Sequence, residues 1–273
     1  MLPRIFGPYE AIRRDYPIEE FLGEIDGHGV AASVYVQANW PRDKAVEEAA
    51  WVSDIAAVAG WPQAIVGYCD LIADDAPAVL RTLAAFPLVR GIRMQVHWHE
   101  NELYRFESVP DRVRDPVFRR HLALLQDYGW SFDLQVFAGQ MADAAQLAAD
   151  LPGITFVLQH CGMLEDTGAD NRALWREGMQ RLAEQDNVAC KLSGLGTFIH
   201  RNDAAHIADV VGESVEIFGP ERCLFGSNFP IEKLWCSYGE LIDAYRQVLA
   251  AWPEAEQRLM LHDTAARVYR LDV

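Results

Sequence analysis

The stretch Gly91-Ile-Arg-Met-Gln-Val-His97 decides the fold, because its apolar and polar side chains alternate. Side chains at alternate positions of a β-strand point to opposite faces, so the apolar residues form one face and Arg93, Gln95 and His97 form the other. An open doubly wound sheet buries both faces of its strands against helices and accommodates few ionisable groups. A barrel strand shows one face to the surrounding helices and the other to the interior, which this pattern fits.

Six more segments have the composition of strands, and helical patterns alternate with them. We predict strands over residues 31–40, 64–71, 89–96, 131–137, 155–160, 188–195 and 223–228. Helices are predicted over residues 17–29, 43–60, 74–86, 116–128, 140–150, 171–185, 203–218, 238–251 and 254–269. Such an alternation predicts a parallel sheet with right-handed crossovers. No linker or low-complexity stretch interrupts it, so we expect a single domain over residues 1–273.

The predicted strands carry polar side chains near their carboxyl-terminal ends, where the active sites of α/β barrels lie. In addition to Arg93, Gln95 and His97, we assign ten polar residues to the interior. Eight lie in pairs on four strands, and they are Gln37, Asn39, Tyr68, Asp70, Asp133, Gln135, Lys191 and Ser193. The other two, His160 and Asn228, are each the last residue of a predicted strand. The alternatives are an open doubly wound sheet and a barrel one strand short, and this convergence favours the barrel. No Gly-x-Gly-x-x-Gly follows the first strand, which weakens a dinucleotide-binding alternative. We predict an α/β fold, a (β/α)8 TIM-type barrel that is one strand short.

Composition and charge exclude several classes of partner. The formal net charge of −16 and the pI near 4.8 argue against nucleic acid and an anionic membrane surface, because both bind basic proteins. No stretch reaches the roughly 18 apolar residues of a membrane span, and residues 1–8 lack the apolar core of a secretory signal. The 5 cysteines are odd in number and form no Cys-x-x-Cys, which favours reduced thiols and a cytoplasmic location. We expect a small-molecule substrate and leave homo-oligomerisation open.

Four short motifs, taken together and in this order along the chain, resemble the amidohydrolase superfamily. They are Arg90-Gly-Ile-Arg93, Gln159-His-Cys-Gly162, Phe225-Gly-Ser-Asn-Phe-Pro230 and Ala265-Ala-Arg-Val-Tyr-Arg-Leu271. The chain is most similar to the amidohydrolase-2 branch, which includes sugar lactonases and 2-pyrone-4,6-dicarboxylate lactonase, from about residue 5 to residue 271. The resemblance implies a distorted barrel and hydrolysis of an ester or amide bond, often a lactone. It also implies either one divalent metal such as zinc or, as in the pyrone lactonase subgroup, none, so the cofactor stays unknown.

The sequence departs from this family in two places. The family's first strand carries a His-x-His that contacts metal or substrate, and the segment Met1–Phe6 before the turn at Gly7-Pro8 is too short for that strand. The second departure is Asn228, which stands where the family has an Asp that binds the metal and takes a proton from water. An amide is neutral and not basic near pH 7, so it does neither well.

The histidines supply the first candidate site residues. By resemblance, His160 polarises the reacting carbonyl, and it is the expected ligand if a metal binds. His97 and His99 share one face of an extended segment, so they contact substrate, grip a metal with His160 as third ligand, or belong to a polar loop. Tyr104 lies in the long loop after residue 96 and is a candidate for a substrate-covering contact.

Charged and amide side chains supply the remaining candidates. Arg93 either clamps a substrate carboxylate or pairs with Asp70 or Asp133. Lys191 is a second anion contact or part of an internal ion pair, and Gln37 is expected to contact substrate.

The sequence does not identify the general base among three candidates, which are His97, Asp70 and Asp133. We expect a hydrolase of a small, anionic lactone or related cyclic ester, in which Asn228 orients the water or the ring oxygen. One alternative is a barrel that has lost catalysis and binds a ligand or serves as a scaffold. A further alternative is a metal-dependent decarboxylase of the same superfamily.

Overall fold

The computed structural model describes residues 4–273, and it contains the predicted parallel sheet. Seven strands pair in parallel in their order along the chain. They are β1 (Val34–Val36), β2 (Ala64–Gly67), β3 (Val89–Ile92), β4 (Ser131–Leu134), β5 (Phe156–Leu158), β6 (Val188–Leu192) and β7 (Cys223–Phe225). Residues 1–3, part of the segment that we expect to be too short for a first strand, lie outside the described residues.

Helices connect successive strands and cover the outer face of the sheet. They are α1 (Ile18–Ile25), α2 (Ala45–Ala59), α3 (Ala76–Leu83), α4 (Pro116–Ala123), α5 (Leu125–Tyr128), α6 (Met141–Asp150), α7 (Ala169–Ala183), α8 (Ala204–Phe218), α9 (Tyr238–Leu249), α10 (Glu254–Arg258) and α11 (Thr264–Tyr269). None of those within residues 4–273 is long and apolar enough to cross a membrane. The regular strands are shorter than predicted, because the polar carboxyl-terminal part of each predicted strand leaves the hydrogen-bonded ladder.

The sheet curls so that its first and last strands contribute to one interior cluster. This cluster consists of Ala64, Val66, Val157, Ala189, Leu224 and Tyr269, with the partly buried Val34, Val36, Ala265, Val268 and Leu271 packed against it. Tyr269 belongs to α11, so the last helix of the chain fills the barrel from one end. A second, larger cluster contains the alternate strand residues, such as Phe132 and Ile92, together with the helices. The alternation of faces on which the barrel prediction depends is therefore present.

The sheet stays open between β7 and β1, since the described strands form a single series with no pairing of its ends. Helix α1 lies beside α9 and packs Phe21 and Leu22 with Phe225 and Phe229 from β7 and the segment after it. The exposed edges of a sheet are sites of unwanted pairing unless something covers them. The α1 helix supplies such cover and is held by ion pairs from Lys233 to two of its glutamates.

Candidate active site

An ion pair lies inside the barrel between Lys191 of β6 and Asp133 of β4. Lys191 Nζ is 2.8 Å from Asp133 Oδ2 and donates a second hydrogen bond to Gln159 Oε1 at 3.2 Å. The hydroxyl of Tyr269 donates to Asp133 Oδ1 at 3.1 Å. Burial lowers the pKa of Lys191, and the carboxylate of Asp133 opposes that shift. Of the two predictions for Lys191, the geometry therefore supports the internal ion pair, and Asp133 is already fully engaged.

Arg93 is a partly buried guanidinium that forms no ion pair with an acidic side chain. Its Nη2 donates to the backbone oxygen of Gln37 at 2.5 Å, its Nε has no hydrogen-bond partner, and no carboxylate of the described residues lies within 4.0 Å. Asp70, one of the expected partners, instead contacts Arg42 at 3.3 Å. Burial lowers the pKa of Arg93, against the attraction of the more distant carboxylates of Asp133 and Glu48. An unpaired buried cation is expensive to keep, so this group is suited to receive an anionic ligand.

His160 points into the barrel because the chain after β5 turns through left-handed backbone. Residues 160–163 all have positive φ, with 55° at His160. Strand parity alone would put His160 on the side of Phe156 and Leu158, which pack among the helices. A run of non-glycine residues in this region is unusual and is typically found at functional sites.

The ring of His160 is neutral and is oriented by a neighbouring strand. Its Nδ1 lies 2.9 Å from Ser193 Oγ, just after β6. Burial lowers the pKa of His160 to about 3, and the positive charges of Lys191 and Arg93 act in the same direction. A Cβ at Gly194 would collide with Nδ1, so only glycine permits this approach. When the Ser193 hydroxyl donates to Nδ1, the neutral ring carries its proton on Nε2, where it is a donor for a carbonyl oxygen.

Asn228 follows β7 and contacts a carboxyl group that the sequence did not single out. Its backbone is left-handed, with φ of 53°, and its Nδ2 donates to Glu232 Oε1 at 3.2 Å. Glu232 is only 1% exposed. Burial raises its pKa to about 7, although the hydrogen bonds from Asn228 and the Gly196 backbone act in the opposite direction. The only sequence signal for Glu232 was its spacing of four residues from Asn228 on the turn that Pro230 begins.

His97 is enclosed by aromatic rings rather than paired with His99. The centroid of its ring lies 5.4 Å from that of Phe106 and 5.8 Å from that of Phe137, and its Nδ1 has no hydrogen-bond partner. Burial lowers the pKa of His97 to about 3, and Arg93 contributes to the shift. A histidine with so low a pKa is a weak base near pH 7. His97 is thus a poor general base, but it offers a polar atom to a ligand.

His99 and Tyr104 belong to an aromatic wall above the strand ends. His99 Nε2 lies 3.5 Å from Glu165 Oε1, and its ring centroid is 5.2 Å from that of Tyr104. Tyr104 also packs against Phe137 and Phe198, at 6.2 Å and 5.4 Å between ring centroids. This wall joins the long loop after β3 to the loops after β4, β5 and β6, so Tyr104 is positioned to cover a ligand.

Gln37 lies at the site although it is not on the interior face of β1. Val34 and Val36 of β1 face the interior, whereas Tyr35 donates to Glu48 of α2. Gln37 shares the parity of Tyr35, so its assignment to the interior face from alternation was wrong for β1. The chain nevertheless leaves the strand there, and Gln37 Nε2 donates to Gln95 Oε1 at 3.2 Å. The amide supports the segment after β3, which carries Arg93.

These side chains meet at one end of the barrel. His160 is within electrostatic range of Arg93, Lys191 and His97. Asn228 lies two residues after Gly226. A Cβ atom added at Gly226 would lie 3.2 Å from Cβ of Ser193, so the segments after β7 and β6 are close together here. The structure thus places the two predicted catalytic residues after β5 and β7, on either side of the segment that follows β6.

The residues present do not form a donor set for a metal ion. Within residues 4–273, no group of three or more His, Cys, Asp or Glu side chains is arranged to hold one. His99 is engaged with Glu165, and position 228 carries an amide. The three-histidine metal site of His97, His99 and His160, one of the three alternatives that the sequence leaves open, is therefore not formed within residues 4–273. The five cysteines are all free thiols, as predicted.

The fold and the site define an α/β barrel with polar groups at its strand ends, an arrangement found in barrel enzymes. Comparison with known proteins identifies the family to which this chain belongs. Residues 2–271 match the family described as Amidohydrolase (Amidohydro_2). The chain belongs to this family, and its enzymatic class is that of the hydrolases.

Three similar proteins illustrate the range of the match. An uncharacterized protein of Sinorhizobium fredii, y4mH, is 33% identical over 269 residues, which cover 98% of this chain and 90% of the relative. An L-fucono-1,5-lactonase of Burkholderia multivorans is 30% identical over 275 residues, covering 95% of this chain and 88% of the relative. The crystal structure of an amidohydrolase from Burkholderia multivorans with bound zinc has a TM-score of 0.82 and 28% identity, covering 96% of this chain and 90% of that one.

Proposed function

We propose that the protein hydrolyses a small anionic lactone or related cyclic ester. The observation that carries this proposal is the guanidinium of Arg93, whose Nε is buried without a hydrogen-bond partner and which lies within electrostatic range of the neutral ring of His160. A cation and a neutral N–H donor at one end of a barrel suit a substrate with a carboxylate and a reactive carbonyl. The similarity to an L-fucono-1,5-lactonase supports a lactone as the reacting group.

In this mechanism each side chain has a defined task. His160 Nε2 donates to the carbonyl oxygen and stabilises the negative charge that develops there. Arg93 binds the substrate carboxylate, and Gln37 holds Arg93 through its backbone oxygen. Asn228 orients the attacking water through its amide oxygen, since its Nδ2 is already bonded to Glu232. His97, His99 and Tyr104 enclose the ring, while Lys191 remains in the ion pair with Asp133.

The test is a panel of five- and six-membered lactones, in which each carboxylate-bearing ring has a matched primary amide. L-fucono-1,5-lactone is included as a neutral sugar lactone. Hydrolysis is followed by acid release. We expect the carboxylates to be hydrolysed with kcat/KM at least about 30-fold above their amides, because a buried charge-assisted contact is worth about 2 kcal/mol or more. Equal kcat/KM values for a carboxylate-bearing lactone and its matched amide would contradict the role of Arg93. No turnover of any lactone would contradict the proposed function.

One observation favours a second candidate, a barrel that binds its ligand without turning it over. Position 228 holds an amide where the family has a carboxylate. Isothermal titration with the same panel distinguishes the two candidates. Tight binding of a lactone that is recovered unchanged, together with no gain from Asn228→Asp, would favour the binding protein. The metal-dependent decarboxylase alternative requires a donor set that residues 4–273 do not form.

A further inference from the structure

We propose that Glu232 is the proton acceptor for the attacking water, in the role that the amide at position 228 leaves open. The inference rests on the proposed hydrolase function and adds a catalytic residue to it. Its basis is the contact between the two side chains, in which Asn228 Nδ2 donates to Glu232 Oε1 at 3.2 Å.

The backbone after β7 fixes this contact. Glu232 N donates to the backbone oxygen of Asn228 at 3.2 Å, so the carboxyl group stands one helical turn beyond the amide on the same side. The left-handed conformation of Asn228 points the chain into that turn. On the other side, a Cβ at Gly196 would collide with Glu232 Oε2, so the loop after β6 closes over the carboxyl group. The same loop holds Gly194 against His160.

The other acids at this end of the barrel are less suitable acceptors. Both oxygens of Asp133 receive hydrogen bonds inside the barrel, from Lys191 and Tyr269. Asp70 is paired with Arg42. Glu165 is the remaining competitor, because its Oε2 is buried without a hydrogen-bond partner while its Oε1 faces His99.

The surroundings of Glu232 keep it basic near neutral pH. No Lys, Arg or His of the described chain lies within 4.0 Å of its carboxyl group, and the neighbouring Lys233 turns away to two glutamates of α1. The carboxylate of Glu232 in turn acts electrostatically on two nearby titratable groups, Cys236 and Tyr245. Burial raises the pKa of Cys236 to about 12 and that of Tyr245 well above its ordinary value, so both are neutral. A carboxyl group of pKa about 7 is well matched to general-base catalysis.

The proposed step balances without a further reactant. One O–H bond of water breaks, its proton goes to a Glu232 carboxylate oxygen, and the water oxygen bonds to the lactone carbonyl carbon. The ring C–O bond then breaks, and Glu232 returns the proton to the leaving oxygen. The products are the hydroxy acid and a regenerated carboxylate, so Glu232 acts first as base and then as acid.

The experiment compares Glu232→Gln, Glu232→Asp and Glu165→Gln in the full chain, with kcat/KM measured from pH 5 to pH 9. For the unchanged protein we expect the rate to rise with pH up to about 7 and then level off. For Glu232→Gln we expect kcat/KM to fall by a factor of about 10²–10⁴ and its rise with pH, the pH-dependent limb, to disappear. Glu232→Asp should still show a rise of kcat/KM with pH, but at a different pH. Glu165→Gln should show the same pH dependence as the unchanged protein. Circular dichroism verifies the fold of each variant, and Glu232→Asp carries the test if the glutamine variant does not fold.

Each remaining outcome has a definite meaning. An active protein whose Glu232→Gln variant keeps the full rate and limb would overturn this inference while leaving the proposed function intact. Loss of the limb in Glu165→Gln alone would transfer the role to Glu165 and also overturn it. If the unchanged protein hydrolyses no lactone, the proposed function and this inference fail together.

Discussion

Two groups of polar side chains lie inside this barrel, and they differ in how completely they are paired. The interior ion pair, Lys191 with Asp133, is completed by Gln159 and Tyr269. The strand-end group, defined as Arg93, His97, His160, Asn228 and Glu232, has an unpaired Nε on Arg93 and an unpaired Nδ1 on His97. An unsatisfied buried polar group costs about 1–3 kcal/mol. We infer that the first group stabilises the fold, and we propose that the second binds a ligand.

Replacing Lys191 by Met gives the largest expected change in stability. The variant leaves the carboxylate of Asp133 buried without its cation, so we expect the free energy of unfolding to fall by about 3–5 kcal/mol. Adding Asp133→Leu should recover most of this loss, because the unpaired charge is then removed. Urea unfolding measures both. The matched control is Lys44→Met, whose surface pair with Glu47 is worth about 0.5 kcal/mol or less. A Lys191 variant no less stable than this control would contradict the structural role of the ion pair.

Replacing Arg93 by Met should have the opposite pattern. We expect kcat/KM for a carboxylate-bearing lactone to fall by a factor equivalent to about 2–5 kcal/mol, because the ligand carboxylate loses its partner. The free energy of unfolding should stay equal or rise, since the variant removes a buried charge that has no acidic partner. Steady-state kinetics and urea unfolding on the same preparation measure the two quantities. A variant that is strongly destabilised yet fully active would show that Arg93 is structural.

The pH dependence of stability sharpens the assignment of Glu232. Burial raises its pKa in the folded protein to about 7, above the unfolded value near 4.5. The folded protein then binds more protons between these values, so this group's contribution to stability falls as pH rises from about 4.5 to about 7. The stability of Glu232→Gln relative to the unchanged protein should therefore increase across this window, by about 3 kcal/mol at most.

The histidines do not obscure this comparison. The lowered pKa values of His97 and His160 contribute stability that is lost as pH falls from about 6.5 towards 3, but both proteins share this contribution. Thermal unfolding at half-unit pH steps measures the difference. A difference that is constant with pH, or that decreases as pH rises, would contradict the raised pKa of Glu232.

Much of the fold followed from residue alternation, because burial imposes a period of two on a barrel strand. Residues 91–97, with Asp133 and Lys191, lie on the faces that their alternation predicted. The rule was wrong at β1, where Val34 and Val36 are apolar on the interior side. Beside β1 the barrel interior is filled by the apolar cluster around Tyr269. The assumption that the polar face of each strand points inward therefore fails at this strand.

The candidate site was less predictable, because side chains beyond the regular strands obey the local backbone. His160 was singled out by its motif, yet only the left-handed turn explains how it reaches Ser193. Glu232 escaped notice because it follows the strand by several residues and looks like one more surface acid in an acidic sequence. Its burial and its contact with Asn228 depend on how the chain folds after Pro230.

The most direct measurement of the central claim is hydrolysis of a carboxylate-bearing lactone in ¹⁸O-labelled water. Water attack on a carbonyl polarised by His160 predicts one labelled oxygen in the newly formed carboxylate of the hydroxy acid and none in its hydroxyl group. His160→Asn should slow formation of this product by a factor of about 10²–10³, the usual effect of removing one donor to a developing oxyanion. Label in the hydroxyl group, or an undiminished rate in the His160 variant, would contradict the account.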